Sequence, residues 1–333
     1  MKSKTQLAMA GCLLASVLAV SPILLSQQGQ PQPAKQVTVT AIPGVVADGA
    51  KWTQVWTQPD LADGVVAYQG GVLFAQEETS SVAMLDKSGD YSLFAKKALG
   101  PGALGIDAMG RVLAVQRSCT DPGQHPELCK IPTALAELDP EYKVLTDNDG
   151  KGFGRLHDLV VDSKGGAFFN GPTGVFYFSP AGKLTQASMN TRTNGIMLSR
   201  DDKTLYFTNG MVLDACDVQP DGTCMNERTF AKLEAGGGGD GMAMDSQGRL
   251  YTSSPVGVQV VGADGKYLGL IPSPRPVTSL CFSGPDKKTL YAITSGATQP
   301  DGSEYTSRKG VALYSRTTYK IDLLAQGYMS RVK

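Results

Sequence analysis

The sequence predicts an all-β chain folded as a six-bladed β-propeller with four-stranded blades, its ring closed by an N-terminal strand. Three observations carry this reading. A strand–turn–strand unit recurs six times, the units follow one another at about 40 residues, and no window beyond the N-terminus sustains a 3.6-residue apolar period. The units are "DGVVAYQGGVLFAQ" from Asp63, "ALGIDAMGRVLAVQ" from Ala103, "HDLVVDSKGGAFFN" from His157, "NGIMLSRDDKTLYFTN" from Asn194, "DGMAMDSQGRLYTSS" from Asp240 and "VTSLCFSGPDKKTLYAIT" from Val277. Each joins two apolar runs through a turn rich in Asp, Ser, Gly or Lys. A β-sandwich uses similar strands but has no reason to repeat a unit six times.

Each unit needs two further strands to make a blade. "SVAMLDKSGDYSLFA", "ALAELDPEYKVLT", "GVFYFSPAGKLTQAS", "VLDACDVQPDGTCMNERTFAKL" and "GVQVVGADGKYLGLI" supply them for the first five. The sixth has "GVALYSRTTYKIDLL" and then runs out of strand. "KWTQVWTQ", residues 51–58, is free just before the first unit. Its pairing with the last blade closes the ring and removes two open sheet edges. The propeller is therefore assigned to residues 51–333.

Ahead of it, Lys2 and Lys4 precede the apolar run of residues 7–25, the pattern of an export signal or, given its length, a membrane anchor over residues 1–26. Too little apolar sequence precedes Cys12 for a lipoprotein site. Residues 27–50 read as a polar linker. Location is accordingly periplasmic or secreted, with the membrane touched only through the N-terminal segment. In an oxidising compartment the close cysteine pairs Cys119/Cys129 and Cys216/Cys224 favour disulfides, each stapling a local loop. Zinc sites favour tighter spacing. Cys281, in "VTSLCF", reads as an inert buried thiol.

Charge narrows the function. The 333 residues carry 31 Lys plus Arg and 31 Asp plus Glu, with no basic block, so a nucleic-acid partner is not expected. There is no Gly-x-Ser-x-Gly elbow, and with two histidines a Ser-His-Asp triad has little support. "GGGGDG" lacks the Lys-Ser/Thr and the helix of a phosphate loop.

In a propeller the first strand of each blade lines the central channel, so the starts of the six units converge on one mouth. They place Asp63, His157, Asn194 and Asp240 there. Singly, Asp and Asn before Gly are ordinary turn residues. Their shared register in separate blades favours a site. Carboxylates crowded at an apolar mouth need a cation, and Asp and Asn oxygens suit Ca²⁺ or Mg²⁺.

These units, above all "NGIMLSRDDKTLYFTN", "RLHDLVVDSKGGAFF" and the stretch from Asp240 through "YAIT", resemble the gluconolactonase/regucalcin (senescence-marker) family, with looser similarity to strictosidine synthase-like propellers. The resemblance runs from about Trp52 to about Leu324. It implies a divalent metal, Ca²⁺ foremost, held by Asp63, His157, Asn194 and Asp240, and a hydrolase that opens a lactone or related ester; with the N-terminal signal, an exported one. Asn194 and Asp240 match the family's ligands. Asp63 stands where the family has Glu, and His157 where it has Asn. The imidazole nitrogen shifts the preference towards Zn²⁺ or Mn²⁺, or frees His157 to act as a base. Asp240 and His157 are the expected catalytic pair, and Arg155 matches a substrate-contacting arginine. The expected partner is a small molecule: a lactone, ester or sugar-acid derivative. Two other classes stay open: a binding or sensing propeller with a degenerate site, and a lyase, synthase or isomerase working in the same channel.

Overall fold

The structure is a computed structural model and describes residues 33–118, 126–305 and 316–333. After β1 (Thr53–Gln58), blade one is β2 (Ala62–Tyr68), β3 (Gly71–Gln76), β4 (Ser81–Leu85) and β5 (Tyr91–Ala95). Blade two is β6 (Pro101–Ile106), β7 (Val112–Gln116), β8 (Ala134–Asp139) and β9 (Lys143–Thr146). Blade three is β10 (Leu159–Val161), β11 (Ala167–Gly171), β12 (Gly174–Phe178) and β13 (Leu184–Ser188). Blade four is β14 (Thr193–Leu198), β15 (Thr204–Asn209), β16 (Val212–Val218) and β17 (Cys224–Lys232). Blade five is β18 (Met242–Met244), β19 (Leu250–Ser254), β20 (Gly257–Val261) and β21 (Tyr267–Pro272). Blade six is β22 (Val277–Ser283), β23 (Thr289–Ser295) and β24 (Arg316–Asp322), with β1 antiparallel to β24 at its outer edge and Thr57 opposite Thr317. Among the described residues the strands form six four-stranded antiparallel sheets, the fold that the repeats predict. Each inner strand starts within about two residues of its expected position.

Burial follows the radius of the ring. β3, one strand out from the axis, is buried throughout, whereas β5 at the rim is mostly exposed. Apolar side chains of neighbouring blades interlock between the sheets. Leu73 and Val66 of blade one pack with Leu104 and Ala114 of blade two, and Phe169 of blade three packs with Leu113 and Leu135. β1 contributes Trp56, which tilts against Phe74 with ring centroids 4.7 Å apart. Closure therefore joins blade six to blade one through side chains as well as through the ladder. The segment before β1 also packs. Val39, Ile42, Val45 and Val46 are buried with Val258, Ile271 and Phe282, so residues 39–46 cover blades five and six rather than hang as a spacer.

The turns between first and second strands share one device. Asp107 Oδ1 accepts from the N–H of Met109 and Arg111, Asp162 Oδ1 from Lys164 and Gly166, and Asp245 Oδ1 from Gln247 and Arg249. These repeated aspartates are turn caps. They lie at the end of the channel opposite the mouth. The C-terminal segment runs across that end. Arg331 bonds the carbonyls of Leu198 and Ser199, and Lys333 enters the channel, donating to Asp158 Oδ1 at 2.5 Å and to the Leu159 carbonyl at 3.0 Å. A cavity of about 180 Å³ there is lined by this tail and blades two and three, away from the mouth.

Cys216 and Cys224 are disulfide-bonded across the β16–β17 hairpin. Cys281 is a free, buried thiol, pushed up to about 12 by desolvation, and so unreactive. Cys119 lies outside the described residues, and with it the expected Cys119–Cys129 pairing, as do Cys12 and the N-terminal apolar run. No helix among the described residues is long and apolar enough to cross a membrane. Because the Cys216–Cys224 loop is short, replacing both cysteines by alanine is expected to cost about 2–3 kcal/mol. Denaturant unfolding of the double variant checks this, and an unchanged midpoint would refute it.

Candidate active site

The mouth residues reach their places through close contact between inner strands. A Cβ on Gly195 would lie 1.9 Å from the Asp240 carbonyl oxygen, one on Gly64 would lie 2.4 Å from Ala103 Cα, and one on Gly241 would lie 2.9 Å from the Thr278 carbonyl. The Asp-Gly and Asn-Gly dipeptides thus mark where adjacent blades touch, not where the chain turns. The side chains of Asn194, Asp240 and His157 make no hydrogen bond to another described residue. All three are half-buried. Unlike Asp107, Asp162 and Asp245, they cap nothing.

Asn170, fully buried at the end of β11, sets the register between blades three and four. Its Oδ1 accepts from Asp158 N–H at 2.9 Å, and its Nδ2 donates to Thr193 Oγ1 and to the Asn194 carbonyl, both at 2.8 Å. Its carbonyl accepts from His157 N–H. Asn170 therefore holds His157 through its carbonyl and Asp158 and Asn194 through its amide, fixing the two mouth residues side by side.

Arg117, at the end of β7, crosses the mouth, and the sequence reading overlooked it. Its Nη1 donates to Asp63 Oδ2 at 2.9 Å and to Glu77 Oε2 at 2.5 Å; its Nε reaches the Leu156 carbonyl at 2.7 Å and its Nη2 the His157 carbonyl at 3.0 Å. Glu77, whose side chain is 0% exposed, also takes both arms of Arg155, through Oε1 at 2.6 Å and Oε2 at 3.1 Å. Arg155 remains 46% exposed and faces solvent at the mouth. Arg117 and Glu77 thus clamp the loop that carries Arg155 and His157.

The charges decide protonation. Burial, reinforced by the nearby Asp63 and Asp158 and opposed by Arg117 and Arg316, pushes the Asp240 carboxyl up to about 8. His157 moves the other way. Desolvation and the guanidinium groups of Arg117 and Arg155 lower it below its ordinary 6.5, partly opposed by Asp63 and Asp158. Near neutral pH the site therefore holds a protonated acid and a neutral imidazole. Burial alone would lower Arg117, but Glu77 and Asp63 outweigh it and hold the guanidinium charged.

A divalent ion fits this donor set poorly. Asp63 already gives Oδ2 to a buried guanidinium. Among the described residues no three His, Cys, Asp or Glu side chains stand close enough to hold a metal. Asn194, Asp240 and the second oxygen of Asp63 are left as the unpaired oxygen donors, with the Arg117 guanidinium held against Asp63.

The same second-strand ends where Arg117 and Glu77 sit also carry Asn170. Their signal lay in the aligned repeats "LFAQEE", "LAVQRS" and "AFFNG". An antiparallel partner returns to the mouth where its neighbour began, so its last residues belong to the site.

Comparison with known proteins gives the family and supports the fold. The family model described as "SMP-30/Gluconolactonase/LRE-like region" matches residues 45–297. A gluconolactonase of Zymomonas mobilis is 29% identical over 197 residues, covering 49% of this chain and 55% of that protein. The pentonolactonase XacC of Haloferax volcanii is 28% identical over 187 residues, covering 52% and 64%. The chain thus spans little more than half the length of these relatives. Among solved structures, the gluconolactonase XC5397 of Xanthomonas campestris superposes with a TM-score of 0.68 at 20% identity, over 89% of this chain and 98% of that one. A regucalcin of Agrobacterium tumefaciens, described as calcium-binding, superposes with a TM-score of 0.63 at 17% identity, over 88% and 98%. At these identities the structures speak for the fold alone, whereas the family model spans most of the propeller: the chain belongs to the SMP-30/gluconolactonase/LRE-like family.

Proposed function

We propose that the mouth hydrolyses a cyclic ester, opening a lactone to its hydroxy acid. The observation that carries this is the convergence of His157, Asn194 and Asp240, without side-chain hydrogen-bond partners, beside the solvent-facing Arg155. Lactonase names among the relatives point the same way. His157, neutral at pH 7, accepts a proton from water as its oxygen attacks the carbonyl carbon. Arg155 holds the polar groups of the substrate in place, and the Asn194 amide donates to the oxygen on which negative charge develops. Asp240, still protonated, gives its proton to the ring oxygen as the C–O bond breaks, and transfer from His157 to Asp240 resets the pair. Two groups whose environments move their pKa values apart suit such an acid–base division. Export belongs to the same reading, supported by Lys2, Lys4 and the apolar run after them, and by the Cys216–Cys224 bond.

The test is acid release, followed by pH-stat, from a panel of five- and six-membered sugar lactones, with phenyl acetate as the acyclic control. Turnover is expected for at least one lactone. It should rise through a value below 6.5 as His157 loses its proton and fall near 8 as Asp240 loses its own. No release above the spontaneous rate, or a product other than the ring-opened acid, would sink the reading.

A further inference from the structure

We infer that the guanidinium of Arg117 is the resident cation of the mouth, standing where a divalent metal would otherwise balance Asp63. The geometry carries this in three ways. First, the guanidinium is bonded on two sides by carboxylates, Asp63 and Glu77, and on two more by the carbonyls of Leu156 and His157, so nearly all its N–H groups are used. Its side chain is 4% exposed, and such a charge persists in the interior only when paired in this way.

Second, the fold makes room for it. At the mouth position of blade two the chain has Gly102, and a Cβ there would lie 2.1 Å from Arg117 Nε and 2.4 Å from its Cζ. Blade two, which like blade six offers no polar side chain to the mouth at this position, is the blade over whose glycine the arginine reaches across.

Third, the surrounding charge is already matched by side chains. Arg316 is a second buried guanidinium that feels Asp63, Glu77 and Asp240, Arg155 lies on Glu77, and Lys333 lies on Asp158. A divalent ion at Asp63 would have either to displace Arg117 from Oδ2 or to bind Oδ1 with the guanidinium still beside it. Like charges at such range in a poorly hydrated site repel strongly.

The test reads metal binding and needs no lactone turnover, so a protein inactive on every lactone leaves it intact. The full folded chain is stripped with EDTA, assayed for metal by mass spectrometry, and titrated with CaCl₂ and TbCl₃. Wild type is expected to carry no stoichiometric metal, to show no saturable site, and to melt at the same temperature in EDTA and in CaCl₂. Gly102→Ala keeps every charge but pushes Arg117 aside. It is expected to gain a saturable site, with melting raised by about 5 °C in excess CaCl₂. Adding Asp240→Asn should remove that site. Should Gly102→Ala not fold, Arg117→Met with Glu77→Gln removes the guanidinium without stranding a buried carboxylate, and the same gain is expected. Stoichiometric metal in wild type that Asp240→Asn releases would overturn the inference, as would folded variants lacking Arg117 at Asp63 that bind no better than wild type.

Discussion

Asp240→Asn is expected to lower lactone turnover by about 10²–10⁴-fold while making the protein more stable in alkaline solution. Both effects come from one buried carboxyl. Asparagine keeps the shape but cannot deliver a proton to the departing ring oxygen. Its effect on stability follows from linkage. The Asp240 carboxyl titrates near 3.8 when unfolded and near 8 when folded. Between those values the folded chain holds a proton that the unfolded chain has released, so stability falls as pH rises across this window. The contribution is complete below about 3.8 and lost above about 8. Asparagine has no proton to lose, so the variant should gain on wild type as pH climbs from 5 to 9. Urea midpoints at pH 5, 7 and 9, set beside turnover at pH 7, decide the matter. A variant that keeps its activity would remove Asp240 from the chemistry. A stability difference that does not grow with pH would show that the folded carboxyl is ionised.

The four mouth positions were legible in the sequence because of the repeat. A propeller repeats its backbone, so equivalent positions fall into one register along the chain, and polar residues that interrupt an otherwise apolar strand start stand out. Asp63, His157, Asn194 and Asp240 interrupt it at the same point in four blades. The ring, its blade count and the strand that closes it follow from the same repeat. Arg117, Glu77 and Asn170 escaped because the second-strand ends use a different residue in each blade, so alignment makes each look like a lone polar surface residue. What unites them is contact between blades, which no single unit contains. Lys333 and Arg331 belong to no repeat at all. Residues 39–46 escaped for a different reason: their valines and Ile42 sit among Thr, Pro, Gly and Asp, and averaged composition hides four buried side chains. The metal expectation, Ca²⁺ foremost, answered the charge problem at the mouth with a bound ion. A carboxylate cluster at an apolar mouth does call for a cation, but sequence spacing cannot tell a bound ion from an arginine arriving from the neighbouring blade.

Glu77→Ala is expected to be the most damaging single change to stability in the site, at about 3–5 kcal/mol. Glu77 is shared by two arginines, and its side chain has no contact with solvent. Truncation leaves Arg117 buried with Asp63 and two carbonyls, one anion short, and opens a space that alanine cannot fill. It also unties Arg155, which then moves freely in solvent instead of standing over the mouth. Activity should therefore drop with the rise concentrated in KM, because the lost element orients substrate and transfers no proton. Glu77→Gln separates the two roles. The amide keeps the volume and an oxygen for one arginine, so it should recover much of the folding loss but little of the grip on Arg155, whose two bonds need both carboxylate oxygens. Urea midpoints and steady-state kinetics on the two variants test this together. If Glu77→Ala unfolds within about 1 kcal/mol of wild type, the buried pair is not what holds the loop of Arg155 and His157. If Glu77→Gln loses kcat rather than KM, Arg155 acts on the transition state and not on substrate placement.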